Sequence, residues 1–346
     1  MPFLRLLSPN LRRAARCLPL AAVAAAVLAP AAHGAPTTLA TEQRAAPVAA
    51  YAGTVVWSSY DATAKDYHLV VSRNGAPPQR LAGAPSPVPF DVDLGTNRSG
   101  ATYAVYTRCA KPATDKNGNP VRGTGCDIYR LGLASGVEQR LQSLSSPTSD
   151  ERDPTIFRGE IAFIRTERHR GVTQDVLRIG NTTSGSKGTR ALVTVDRRAT
   201  TLSRPELSFS RIAYVRVTRG GATQAVHVRT ISSGSDRTVY VARSGGANAA
   251  NIAGLSVDDR ATSFLWARTN LGSGTGNRIV RYSTPTGKLS YALGSPRYVS
   301  SSWASQALGM AVMVDPSSTG TCSSNINQPG QCLVQLTGPL TFKATP

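Results

Sequence analysis

Histidine is almost missing from this chain, with four residues in 346. His33 lies near the N-terminus, His68 and His227 sit in runs that alternate with apolar residues, and His169 lies in a basic stretch. No two are at ligand spacing, so the sequence carries no metal motif and no histidine-based nucleophile relay. A Gly-x-Ser-x-Gly elbow is also lacking. Gly180–Thr189 has the glycines and lysine of a phosphate loop, but Ser186-Lys187-Gly188 reverses the required order and no helix follows. Asp115-Lys116-Asn117-Gly118-Asn119 opens like a calcium loop, yet Pro120 stands where glycine is needed, and an Asn-Gly hairpin turn explains it better. Neither cofactor nor metal is expected. Helical apolar periodicity is missing from residue 35 onward, which excludes the helical fold classes.

Acids are scarce as well: 20 Asp and Glu against 39 Lys and Arg, a formal net charge of +19. Lysine occurs only at Lys65, Lys111, Lys116, Lys187, Lys288 and Lys343, so the excess is carried by arginine. Such a field favours anionic partners. The acids that do occur are clustered, at Asp91 with Asp93, at Asp150, Glu151 and Asp153, and at Asp258-Asp259. Paired carboxylates can cleave glycosidic bonds. Arg152, Arg158 and Arg260 beside the second and third clusters suggest ordinary ion pairs instead.

The chain opens with MPFLRLLSPNLRRAARC, four arginines and no acid, followed by an apolar run from Leu18 to Ala32 and by Ala32-His33-Gly34. Basic, apolar, then small is the layout of a signal peptide over residues 1–34. The run is short and interrupted by proline, unlike a membrane span of about 20 residues. A secreted or extracytoplasmic protein with no transmembrane segment after cleavage is therefore expected. Removing those residues takes 4 of the 39 basic groups and no acid, leaving 35 − 20 = +15. It also removes Cys17 and leaves Cys109, Cys126, Cys322 and Cys332. An even count in an exported chain reads as disulfides. Of the three pairings, Cys109–Cys126 and Cys322–Cys332 are favoured because each pair brackets the loop of one hairpin.

Against these absences stands a repeat. Short apolar runs align on an aromatic at VVWSS (Trp57), AVYTR (Tyr106), IAFIR (Phe163), IAYVR (Tyr214) and FLWAR (Trp266), and AVMVD around Met313 fits without the aromatic. The centres are 49, 57, 51, 52 and 47 residues apart. A fixed period of that length marks units that bury their apolar faces against one another. Each aligned run is followed by two more strand-like segments, the sixth set being CLVQLTG and LTFKA. In units two to six it is preceded by one more: PVPFDVDL, RDPTIFRG, RPELSFS, IAGLSV and YVSSSWAS. Four strands per unit in six units predicts an all-β fold, a six-bladed β-propeller of four-stranded antiparallel blades. It would span 51–346, with 35–50, rich in Ala, Thr and Pro, as a flexible lead-in. The first unit lacks a clear opening strand. Thr38–Pro47 would supply it, or that blade is short, and the closure of the ring is open.

The strands Ile161–Arg165 and Ile212–Arg216 resemble those of the TolB-like propellers, secreted bacterial repeat proteins. In that family a Pro-Asp-Gly turn commonly precedes such a strand. Here Phe157-Arg158-Gly159-Glu160, Ser208-Phe209-Ser210-Arg211 and Asp258-Asp259-Arg260-Ala261 replace it. The resemblance covers about Tyr51 to the C-terminus and implies the fold, not a translocation role.

In a four-stranded blade the loops between second and third strands share one face with the links between blades. That face is expected to collect both disulfide loops and a basic surface built from Arg152, Asp153, Arg197, Arg198, Arg204 and Arg297, because long loops on a rigid scaffold carry recognition. The reading is a monomeric, non-catalytic binding or scaffolding module for an envelope protein or an anionic wall polymer. No specific nucleic-acid binding is expected. The alternative is a propeller hydrolase or lyase that acts on polysaccharide with paired carboxylates.

Overall fold

The computed structural model describes residues 35–116, 118–181, 188–246, 248–271, 276–294, 297–317, 322–323 and 330–345. The segment read as a signal peptide and the centre of Gly180–Thr189 lie outside the described residues. Among those described, the one helical turn is Arg219–Gly221, and no helix is long and apolar enough to cross a membrane.

Six antiparallel sheets form the predicted six-bladed propeller. Blade I holds Val48–Tyr51, Thr54–Asp61, Asp66–Arg73 and Gln79–Arg80. Blade II holds Asp93–Thr96, Thr102–Thr114, Pro120–Gly132 and Glu138–Arg140. Asp150–Phe157, Glu160–His169, Val172–Asn181 and Arg190–Asp196 make blade III, and Thr200–Leu207, Arg211–Thr218, Thr223–Thr230 and Asp236–Arg243 make blade IV. Blade V holds Ala250–Val257, Ser263–Asn270, Arg278–Ser283 and Lys288–Leu293, and blade VI opens with Arg297–Ser305, Gly309–Asp315 and Cys332–Leu336.

The ring closes through a segment expected to be flexible. Thr37–Glu42 is the outermost strand of blade VI and pairs with Cys332–Leu336 from Thr37↔Leu336 to Glu42↔Cys332. Val48–Tyr51, within the same lead-in, opens blade I and pairs with Thr54–Trp57. The propeller therefore starts before residue 51, and blade I is not short. The expected last strand of blade VI, within LTFKA, instead places Lys343–Ala344 as a fifth strand on the edge of blade V. Glu42 locks the closure, since its carboxylate accepts from Trp57 Nε1 at 2.6 Å and Ser59 Oγ at 2.9 Å in blade I.

The aromatic centres of blades I to V are fully buried, all at 0% exposure. Each faces the preceding blade: Trp57 packs with Ala304 of blade VI, and Trp266 with Val226 of blade IV. Blade VI departs from the expected frame. The inner-to-second strand register pairs Ala50↔Val55, Ile156↔Ile161, Leu207↔Ile212 and Val257↔Phe264, in each case two residues before the centre. In blade VI it is Trp303↔Met310, which makes Val312 the centre. Val312 packs toward blade V, whereas Met313 points the other way, against Trp57. A one-residue shift exchanges the two faces of a strand. An all-apolar run such as MAVMV offers no alternation to reveal it.

The same register aligns the inner strands and exposes a ring of hydrogen bonds. Asp93 accepts from Ile156 N (3.0 Å), Thr155 Oγ1 from Leu207 N (3.2 Å), and Glu206 Oε1 from Val257 N (3.1 Å). Ser256 Oγ accepts from Trp303 N (3.0 Å) and Ser302 Oγ from Ala50 N (2.9 Å). Five of six blade seams thus carry the same latch, from a short polar side chain to the next blade's backbone. Ala49 occupies the position at the I–II seam and has no acceptor to offer. The strands approach closely here: a Cβ on Gly95 would lie 2.2 Å from Ile156 O.

Candidate functional site

The inner strands line a central channel whose narrow waist, about 120 Å³, is bounded by Val48, Asp93, Asp153, Glu206, Gly254 and Ser302, one from each blade. On the face of the hairpin loops and blade links it opens into a mouth of about 310 Å³. Ala45–Pro47, Val88-Pro89, Pro120–Arg122, Arg204 and Val299-Ser300 form that mouth. On the opposite face of tight turns, Tyr51, Phe157, Asp258 and Trp303 surround the exit.

Two observations explain how charge reaches the channel. The inner strands of blades III and IV lose register between Arg152 and Thr155 and between Ser203 and Glu206. At those bulges Asp153 (φ 48°) and Arg204 (φ 50°) adopt left-handed backbone immediately before Pro154 and Pro205. Non-glycine residues avoid that region, and residues preceding proline are pushed away from it too, so both positions store strain of about 1–3 kcal/mol.

The disulfide Cys109–Cys126 joins a register pair of the long blade II hairpin, and Cys322–Cys332 closes the blade VI loop. Both pairings are the expected ones. The first hairpin brings Pro120–Arg122 to the mouth. Arg122 Nη2 lies 2.7 Å from Asp91 and 3.5 Å from Asp153. Asp91 also accepts from Thr107 N (2.7 Å), Thr107 Oγ1 (2.8 Å) and Asp153 N (2.7 Å). Its acceptor capacity is therefore consumed inside the protein.

At the waist, burial pushes the Asp93 carboxyl up to about 6, against the hydrogen bonds it accepts. Burial, and then the charge of Asp93, hold Glu206 well above the carboxylate range. The two cannot both ionise cheaply in this enclosure. Burial pulls the Arg204 guanidinium down, and the negative charge of Asp153 partly opposes this. Among the described residues Arg204 makes no hydrogen bond and no ion pair.

The structure thus gathers Asp153 and Arg204 from the expected set, together with Asp91 and Asp93. Arg152 reaches Asp153 only at 4.0 Å, and the other expected residues are turned to other duties. Arg152 (2.6 Å) and Arg197 (3.3 Å) hold the fully buried Asp175, which also accepts from Leu202 N of blade IV, so both arginines serve the III–IV seam. Arg198 pairs with Asp196 at 2.8 Å, and Arg297 is exposed. Glu151 is buried against Arg165 (2.7 Å), with its carboxyl pushed up to about 7 by burial. Asp150 accepts from Gly125 N (2.6 Å), and Asp258 caps its turn through Thr262 N (2.7 Å). Sequence reasoning missed Arg122 and Glu206. The parallel of Asp153-Pro154-Thr155 and Arg204-Pro205-Glu206 was the signal that could have placed Glu206.

Elsewhere, His68 Nε2 pairs with Asp66 at 2.7 Å, and with Asp61 these ligand-capable atoms lie within 4.8 Å of one another. A divalent cation can bridge that spacing, but the close approach of His68 to Asp66 within one strand already accounts for it.

No protein-family model matches the sequence, and no curated protein matches it. Solved structures do. The chain is similar to a puromycin hydrolase at TM-score 0.51 and 13% identity, over 88% of this chain and 54% of that one. It is also similar to TolB from Acinetobacter baumannii at TM-score 0.50 and 11% identity, over 83% of this chain and 65% of that one. The chain thus spans about half of the hydrolase and under two thirds of TolB, and at these identities the likeness is one of fold: a six-bladed β-propeller.

Proposed function

We propose that this chain is a secreted, TolB-like propeller that works without catalysis, binding an envelope protein or an anionic wall polymer on its loop face. One observation carries the reading. The channel's carboxylates are engaged by the protein itself, Asp91 by four donors and Asp93 and Glu206 by the next blade's backbone, while arginine remains available. Arg204 lines the mouth, and Arg168, Arg170, Arg219, Arg243 and Arg297 are exposed in the hairpin loops and at the strand ends of the loop face, with no ion pair among the described residues. Both disulfides agree with an oxidising compartment.

The second reading is a polysaccharide hydrolase or lyase, favoured by two carboxyl groups with raised pKa in one channel. Size weighs against it. The waist they occupy is about 120 Å³, below the roughly 300 Å³ at which ligand pockets begin.

The test is co-sedimentation of the protein, expressed without residues 1–34, with cell envelopes across a salt series, beside a cleavage assay on acidic polysaccharides. Pelleting that survives high salt, without cleavage, is the expected result. Cleavage abolished by Glu206→Gln would transfer the protein to the enzyme class, and no pelleting at any salt would sink envelope binding.

A further inference from the structure

We infer that the loop-face mouth is a binding site for a monocarboxylate with a short apolar body, seated on the guanidinium of Arg204. The inference rests on the binding reading above and deepens it.

Arg204 concentrates three costs in one residue. Its backbone is left-handed (φ 50°) in front of a proline. Its side chain is enclosed enough that burial lowers its pKa. Its five N–H donors find no hydrogen bond or ion pair among the described residues. Arg204 is half-buried at the mouth, so its guanidinium is partly desolvated yet still reachable from solvent, and strain of this kind persists where a ligand uses it. Arg122, at the same mouth, shows the contrast, since it is already committed to Asp91 (2.7 Å) and Asp153 (3.5 Å).

The neighbours select the ligand. A planar carboxylate matches the guanidinium fork through two parallel hydrogen bonds. Asp91 and Asp153 both face Arg122, and Asp153 also lies 4.0 Å from Arg152, so Arg204 is the arginine of the mouth left to pair with one added negative charge. A dianion such as phosphate would meet the Asp91 and Asp153 carboxylates. The walls are apolar and stiff, made by Pro47, Val88, Pro89, Pro120, Val121 and Val299. A mouth of about 310 Å³ above a waist of about 120 Å³ admits a body of one or two amino-acid residues and stops it there. The carboxylate has two sources, a free small acid or the C-terminal residue of a peptide.

Calorimetric titration with N-acetyl-leucine, its amide, N-acetyl-alanyl-alanyl-leucine, inorganic phosphate and polygalacturonate tests this on the wild-type protein. The acid is expected to bind about 10- to 100-fold more tightly than the amide, the ratio for a lost charge-assisted hydrogen bond. Arg204→Gln should remove that ratio, and Arg204→Lys should restore part of it. A tripeptide that binds more tightly than the single residue marks a chain terminus as the source, and equal affinities mark a free acid. Equal binding of acid and amide overturns the inference without any variant. So does no binding of either, tighter binding of phosphate or polygalacturonate, or wild-type behaviour of Arg204→Gln. If the acid fails while envelopes still pellet the protein, only the mouth assignment falls. If the acid binds while envelopes do not, the site stands and the envelope partner falls.

Discussion

The waist and the mouth of one channel hold charges under similar enclosure, yet they use them differently. At the waist Asp93 and Glu206 are two members of a latch series that is otherwise Thr155, Ser256 and Ser302. Their role is to accept a backbone N–H from the next blade, which a hydroxyl performs equally well. At the mouth Arg204 has no such duty. Enclosed carboxyl groups with raised pKa are the usual sign of a reactive centre, yet here the same two groups also hold blade seams, whereas the mouth's Arg204 has no bonded partner among the described residues.

Breaking the mouth's wall should have the largest effect on stability. Replacing both Cys109 and Cys126 by Ser removes a bridge across 17 residues, worth about 3 kcal/mol in the chain-entropy model, and should appear as a lower Tm. Breaking the waist comes next. Glu206→Ala leaves Val257 N–H without an acceptor and should cost about 1–3 kcal/mol by denaturant unfolding. Glu206→Gln keeps the acceptor and should stay close to wild type at neutral pH.

The comparison sharpens with pH. Asp93 and Glu151 are raised by burial to about 6 and about 7, from 3.8 and 4.5, and Glu206 is raised as well. For a raised acid the folded state holds a proton that the unfolded chain has released. This contribution is therefore complete below about pH 4 and fades as pH climbs through 6 and 7. Stability should fall from pH 5 to pH 8, and Glu206→Gln should flatten the slope in Tm against pH. A slope of the opposite sign would mean that the waist carboxyls ionise freely. The smallest stability effect belongs to the mouth: Arg204→Gln should stay within about 0.5 kcal/mol of wild type or gain slightly, because no internal partner is lost.

The repeat of about 50 residues with four strands per unit led to the right fold, and the buried aromatics at Trp57, Tyr106, Phe163, Tyr214 and Trp266 were legible because strand alternation is local. The channel was legible only in part. Asp93 was visible as one of a pair, but its seam partner is the Ile156 N–H, 63 residues away. Arg122 carried no local signal, and it reaches the mouth only because the long blade II hairpin brings the strand Pro120–Gly132 there.

By itself the sequence determined the number of blades, the four-stranded unit and the two disulfides, since each follows from periodicity or spacing within about 50 residues. Only the tertiary structure decided the rest. Thr37–Glu42 becomes the last strand of blade VI because Leu336, nearly 300 residues away, needs an edge partner. Val312, not Met313, faces blade V because the pairing with Trp303 fixes the register of an all-apolar run. Arg204 meets Arg122, Asp91 and Asp153 because ring closure points six inner strands at one axis, a juxtaposition that no local pattern encodes.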